Sequence, residues 1–119
     1  MARIKTANAS IYYTHTNIQA PTTTLFIHGS GGSHKAWPHE LRSLAQTSAL
    51  LLDLPGHGLS TGSACRSVED YATFIDDFIS TLGLKRVVLA GHSLGGAIVL
   101  SLALTKPSYL TGLVLVGTG

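Results

Sequence analysis

From Leu25 onward, short solid blocks of apolar residues alternate with longer stretches whose apolar positions recur every three or four residues. Leu25-Phe26-Ile27, Leu50-Leu51-Leu52, Val87-Val88-Leu89-Ala90 and Leu113 to Val116 are the solid blocks. They are rich in Val, Leu and Ile and show no polar alternation, so they predict strands buried on both faces and hence a parallel sheet. Ile11, Tyr12 and Tyr13 predict an earlier strand, which alone or as a hairpin would add antiparallel pairing. Asn17 to Thr24, with Pro21 inside it, reads as a polar turn.

The stretches between the blocks read as helices. Trp37, Leu41, Leu44 and Ala45 recur at helical spacing, and Pro38 suits a first helical turn. Ser67-x-x-Asp70 opens the next helix in the manner of a capping box. Val68, Tyr71, Ala72, Ile75, Phe78, Ile79 and Leu82 form its apolar face, and Gly83 closes it. Leu94 to Thr105 predicts a third helix, apolar on nearly all sides and stopped at Lys106-Pro107, which belongs in a covered interior. The expected fold class is α/β, a mostly parallel sheet with helices on both faces. In such sheets ligands bind beyond the carboxyl ends of the strands. The Gly-rich loops that begin at His28, Asp53 and Gly91 all follow such ends, so chemistry is expected at that edge.

Composition sharpens this picture. The 119 residues suit one domain, and a chain of this size buries roughly two-thirds of its unfolded surface. Charged residues are 12% of the chain against 45% apolar, where a charged share of about 25% is usual. The mean hydropathy of +0.30 is correspondingly high. The net charge is +2, and the basic residues Arg3, Lys5, Lys35, Arg42, Arg66, Lys85, Arg86 and Lys106 are spread without forming a stripe, which argues against nucleic acid as a partner. Lys85-Arg86 reads as a solvated turn. Cys65 is the single cysteine, so no intrachain disulfide and no cysteine metal cluster is expected; it reads as an incidental thiol in a polar loop. The N-terminus has no signal-peptide apolar region, and the longest apolar block is far too short for a membrane span. No membrane partner and a cytoplasmic, reducing location are the expectations.

The segment Val87 to Ala97 carries the chemistry. Gly91-His92-Ser93-Leu94-Gly95 is G-x-S-x-G set between a predicted strand and a predicted helix, the context of a nucleophile elbow. The chain must reverse within a few residues there, which holds the serine in a strained backbone conformation. Gly91 and Gly95, two residues to either side, let strand and helix approach, and Gly96 leaves further room. Ser93 is the candidate nucleophile, and the backbone N–H of Leu94, at the positive end of the helix, faces a developing oxyanion. The plain alternative is a Gly-rich turn without chemistry; the strand–turn–helix setting favours the catalytic reading. A second oxyanion donor is expected in His28-Gly29-Ser30-Gly31-Gly32, with the N–H of Ser30 as candidate and Gly31 behind it. His28 reads as a structural histidine bonding loop backbone, and Trp37 as packing.

His28 to Gly32, Asp53-Leu54-Pro55-Gly56-His57-Gly58-Leu59-Ser60 and Gly91 to Gly96 agree in kind, order and spacing with one family. Together they resemble the α/β-hydrolase fold family in its esterase-like branch. The resemblance spans about residues 10–119, with the motif-bearing part at about 22–119, as the N-terminal part of a single domain. It implies Ser93 as nucleophile and Ser30 and Leu94 as the oxyanion hole. It also implies a pocket-side loop from Asp53 to Gly58 in which Asp53 and His57 are structural. Relatives that displace halide or open epoxides resemble this pattern but carry aspartate at the elbow, where this chain has Ser93. The implied reaction is acyl transfer through an acyl-enzyme, hydrolysing an ester, thioester, amide or activated carbon–carbon bond of a small-molecule acyl substrate without metal or organic cofactor.

The family's triad runs Ser, then Asp or Glu, then His. After Ser93 this sequence has no acidic residue and no histidine; His15, His28, His34, His39, His57 and His92 all lie upstream of it. His92 adjoins the serine, and its side chain is expected to point away from the productive direction. The strand Leu113 to Val116 is expected to form an uncovered apolar edge. The simplest expectation is an N-terminal fragment of a longer hydrolase, with acid, base and cap beyond Gly119. The competing expectation is a truncated, non-catalytic remnant or binding protein with the same fold. A nucleotide-binding α/β domain is disfavoured, because no G-x-G-x-x-G opens the first helix and no Walker pattern is present.

Overall fold

A computed structural model describes residues 2–6, 9–44 and 46–117. Its strands are β1 (Ala2–Lys5), β2 (Ser10–Thr16), β3 (Thr23–Ile27), β4 (Ser48–Leu52), β5 (Val87–His92) and β6 (Leu110–Val116). Its α-helices are α1 (Val68–Leu82) and α2 (Leu94–Ala103). The strands form one sheet in the order β1-β2-β4-β3-β5-β6. β1, β2 and β4 pair antiparallel, whereas β4, β3, β5 and β6 run parallel. The opening strand is thus a hairpin, and its first arm β1 is short and alternates half-buried with exposed positions. Three of the four solid apolar blocks became the central strands β3, β4 and β5, whereas the fourth, Leu113 to Val116, lies in the edge strand β6.

Alternation along each strand divides the core in two. Leu25, Ile27, Leu50, Leu52, Val87 and Leu89 face one way and pack with Tyr71, Ile75, Phe78 and Ile79 of α1 and Ile98, Val99 and Leu102 of α2. Phe26, Ala49, Leu51 and Ala90 face the other way and pack with Trp37 and Leu41. Helical segments therefore lie on both faces, two α-helices on one and two 3₁₀ turns, His34–Ala36 and His39–Ser43, on the other.

Those 3₁₀ turns correct the expectation of an α-helix built on Trp37, Leu41, Leu44 and Ala45. Pro38 and Leu44 are both extended, at ψ 140° and 129°, and bracket a single short turn. Ser43 Oγ donates to the Glu40 carbonyl and competes with helical backbone pairing. Only Trp37 and Leu41 find apolar partners, Leu44 is exposed, and Ala45 lies outside the described residues. Too little apolar face is buried to stabilise a short α-helix.

α1 forms where its sequence signals place it. Ser67 Oγ accepts the N–H of Asp70 at 3.0 Å, and Gly83, at φ 70°, returns its N–H to Ser80 and Ile79 carbonyls. α2 ends at Ala103, sooner than Thr105, with Lys106 at φ 51° immediately before Pro107. Its interior character holds on one side only: Leu100 is exposed and Leu104 is 83% exposed. β6 starts three residues before the apolar block because Leu110, Thr111 and Gly112 join it through a bulge opposite Val87 and Val88. Its last four residues are the uncovered apolar edge that the sequence predicts. No helix among the described residues is long and apolar enough to cross a membrane.

Candidate active site

The carboxyl ends of the parallel strands β3, β4 and β5 bring three loops to one edge of the sheet. At the end of β5 the chain turns directly into α2, and Ser93 is the hinge, at φ 55° and ψ −113°. A serine pays for a left-handed φ and keeps it only where its surroundings over-determine it. Here the Ser93 N–H donates to Val116 O at 3.1 Å, and its carbonyl accepts the N–H of Gly96 at 2.9 Å and of Ala97 at 3.3 Å. The side chain is exposed, and its hydroxyl caps no amide of the helix it starts.

The flanking glycines are required by contact. A Cβ on Gly95 would run into the carbonyls of Ile27 and His28, and one on Gly91 would strike Gly95 O and lie 2.6 Å from Gly96 N. Strand β3, strand β5 and the start of α2 therefore meet backbone to backbone around Ser93. A Cβ on Gly29 would stand 3.3 Å from Ser93 Cβ and from His92 O, so the loop after β3 lies against the serine. Gly31, at φ 73°, turns that loop, and Gly32 donates to Gly29 O at 3.0 Å. Ser30 is exposed and, together with Leu94, lines a cavity of about 360 Å³ whose wall also includes His57 and Arg66. The structure thus brings Ser93, Ser30, Leu94, Gly91 and Gly95 together in one place.

The supporting histidines are held by backbone. His28 is fully buried; its Nδ1 lies 2.7 Å from Gly29 O and its Nε2 accepts the Leu54 N–H at 3.0 Å. A carbonyl only accepts, so Nδ1 carries the hydrogen. Burial lowers the His28 pKa; the bond to Gly29 O and the Asp53 charge oppose that, while His57 and His34 add to it. His57 likewise donates Nδ1–H to Pro55 O at 3.0 Å, and its ring centroid is 5.1 Å from that of His28.

Asp53 organises the middle loop. It is fully buried, and Oδ1 accepts from His34 N at 2.6 Å and pairs with His34 Nδ1 at 2.7 Å. Oδ2 accepts the Leu59 N–H at 2.8 Å, and the Asp53 carbonyl accepts the Ser60 hydroxyl at 2.6 Å. Gly58 has a left-handed φ of 51° and leaves no room for a Cβ beside the Asp53 carboxylate. The role of His34 was not legible in the sequence, since nothing in its spacing from Asp53 marks the pair.

His92 turns the other way. Its ring centroid is 6.3 Å from that of Trp37, and the two residues line an apolar cavity of about 470 Å³ with Phe26, Ala90, Val114 and Val116. Trp37 itself packs edge-on against Phe26, with centroids 5.1 Å apart. Cys65 is half-buried, and burial together with the Asp70 charge pushes its thiol pKa up, away from the thiolate.

Comparison with known proteins agrees with this geometry. The family described as alpha/beta hydrolase fold matches residues 23–118. The chain is 36% identical over 96 residues to the dihydrolipoyllysine-residue acetyltransferase component of the acetoin cleaving system of Cupriavidus necator, covering 79% of this chain and 26% of that protein. A lipase-esterase related protein from Clostridium acetobutylicum superposes with a TM-score of 0.80 at 37% identity, over 88% of this chain and 45% of that one. An N-acyl homoserine lactonase superposes with a TM-score of 0.85 at 27% identity, over 98% of this chain and 45% of that one. The chain thus spans less than half the length of each of these proteins. From the family match over most of its length, and from the sheet, elbow and loops that accompany it, the chain belongs to the α/β-hydrolase fold family.

Proposed function

We propose that these residues form the nucleophile and oxyanion hole of a serine hydrolase that works by acyl transfer. The observation that carries the reading is Ser93 itself: an exposed hydroxyl on a strained strand-to-helix hinge, packed against the loop that bears Ser30. The related proteins support it in kind, because an acetyltransferase component, a lipase-esterase relative and a lactonase all carry names of acyl chemistry.

In the proposed reaction a base takes the Ser93 hydroxyl proton as Oγ attacks a substrate carbonyl. The negative charge that develops on the carbonyl oxygen is held by the N–H groups of Ser30 and Leu94, and the start of α2 adds its positive end. The protonated base then gives its proton to the leaving group. Water, deprotonated by the same base, attacks the acyl-enzyme and releases the acid and Ser93. His28 and His57 are tied through Nδ1 to carbonyl oxygens of their own loops. By the family's order of serine, acid and histidine, the proposal assigns the orienting acid and the base to residues that follow Ser93 outside residues 1–119.

The test is steady-state hydrolysis of a short-chain p-nitrophenyl ester by the full-length protein carrying these residues. Ser93→Ala should lower kcat by about a thousand-fold or more without lowering Tm. A Ser93→Ala protein that keeps its rate would refute the assignment. A wild-type protein that folds yet turns over no ester, and binds a small acyl ligand, would favour the non-catalytic binding reading.

A further inference from the structure

We propose that the cavity shared by Ser30 and Leu94 is a subsite for a carboxylate carried by the substrate, with Arg66 as its cation. This rests on the assignment of Ser93, Ser30 and Leu94 just made. The cavity holds about 360 Å³, enough for a short chain of substrate atoms. Two of its lining residues, Ser30 and Leu94, are the proposed oxyanion donors, so the cavity adjoins the proposed oxyanion hole.

The charge in its wall has one sign. Among the described residues Arg66 is the only charged side chain that lines it; Glu69 and Asp70, the acids of the first turn of α1, do not. Among the described residues Arg66 has no salt bridge. Burial raises the pKa of the Tyr71 hydroxyl and, together with the nearby Asp70 charge, that of the Cys65 thiol, so both stay neutral and Arg66 must outweigh Asp70 at this wall. His57 has its Nδ1–H committed to Pro55 O and leaves the anion to Arg66. Val68 and the side of Leu94 add apolar surface to the same wall. An arginine placed this way binds a carboxylate by a forked pair of N–H groups, and a neutral ester terminus offers it no such partner. The substrate class is therefore an acyl compound with a free carboxylate on the arm that occupies this cavity.

The experiment compares two esters on the full-length protein, mono-p-nitrophenyl adipate and its methyl-capped counterpart. Wild type should show a higher kcat/KM for the carboxylate. Arg66→Gln should reduce the ratio of the two values by about five-fold, chiefly through KM, as for an ion pair open to solvent. Arg66→Lys should keep part of the ratio, and added salt should narrow it. A ratio that is the same in wild type and Arg66→Gln, or that rises on substitution, overturns the subsite. Ser93→Ala hydrolysing both esters at the wild-type rate would instead overturn the serine assignment, with the Arg66 comparison still deciding the subsite. Turnover of neither ester overturns both.

Discussion

The two sides of strand β5, toward β3 and toward β6, see very different surroundings in the sheet. On the site side, Gly91, Ser93 and Gly95 are pinned by main-chain contacts to β3 and to the start of α2, and the Asp53 loop next to them has its carboxylate paired on both oxygens. On the far side, β6 has Leu113, Val114, Leu115 and Val116 exposed, and Trp37 Nε1 has no hydrogen-bond partner among the described residues. The contrast teaches that the elbow geometry is specified locally, by glycines that let three backbones touch. The β5–β6 ladder links the regions, and at the site end it is extended by the bond from Ser93 N–H to Val116 O. The strained backbone of Ser93 is thus anchored in part on an edge strand with exposed apolar residues.

Substitutions should separate the two regions by size of effect. Gly95→Ala forces a Cβ into the Ile27 carbonyl, which no side-chain rotation relieves. It should cost about 4 kcal/mol or more, seen as loss of cooperative folding in urea titration of the full-length protein. A Gly95→Ala variant within about 1 kcal/mol of wild type would show that the backbone approach is looser than described. Asp53→Ala leaves the N–H groups of His34 and Leu59 without their acceptor in a buried loop. It should cost about 3 kcal/mol in the same titration, and a neutral result would mean that water takes over the carboxylate's role.

His28 gives a smaller, pH-dependent effect. Its folded pKa is lowered from the ordinary 6.5 by burial, so it stays neutral in the fold while the unfolded chain takes up a proton. Its contribution is fully present above 6.5 and is lost as pH falls from there toward the lowered folded value. Tm should fall on acidification below about pH 7, and His28→Asn should flatten that slope. An equal slope in both proteins would place the acid sensitivity elsewhere. At the bottom of the scale, Leu104→Ser on the exposed end of α2 should change stability by no more than about 0.5 kcal/mol. A larger loss there would mean that this surface is covered in the full-length protein.

How much of this was legible in the sequence follows the same division. The elbow, the Ser67 and Gly83 caps of α1 and the central strands are specified by neighbours along the chain, so pattern and spacing reveal them. β1 escaped because a short edge arm with alternating charges carries almost no apolar signal, and it exists only by pairing with β2. The Trp37 to Leu44 segment misled because two apolar residues at helical spacing fit a 3₁₀ turn as well as a helix. The His34–Asp53 pair and the place of Arg66 in the cavity depend on loops meeting in space. No spacing along the chain encodes that meeting.

The central claim is that Ser93 is a nucleophile activated by its hinge and by the amides of Ser30 and Leu94. The most direct measurement is reaction of the folded full-length protein with a fluorophosphonate, followed by mass analysis of the peptide that contains Ser93. The account predicts one phosphonyl group, on Ser93, and none on the Ser93→Ala protein. An unlabelled Ser93 in a protein shown to be folded, or label carried by another residue, would contradict it.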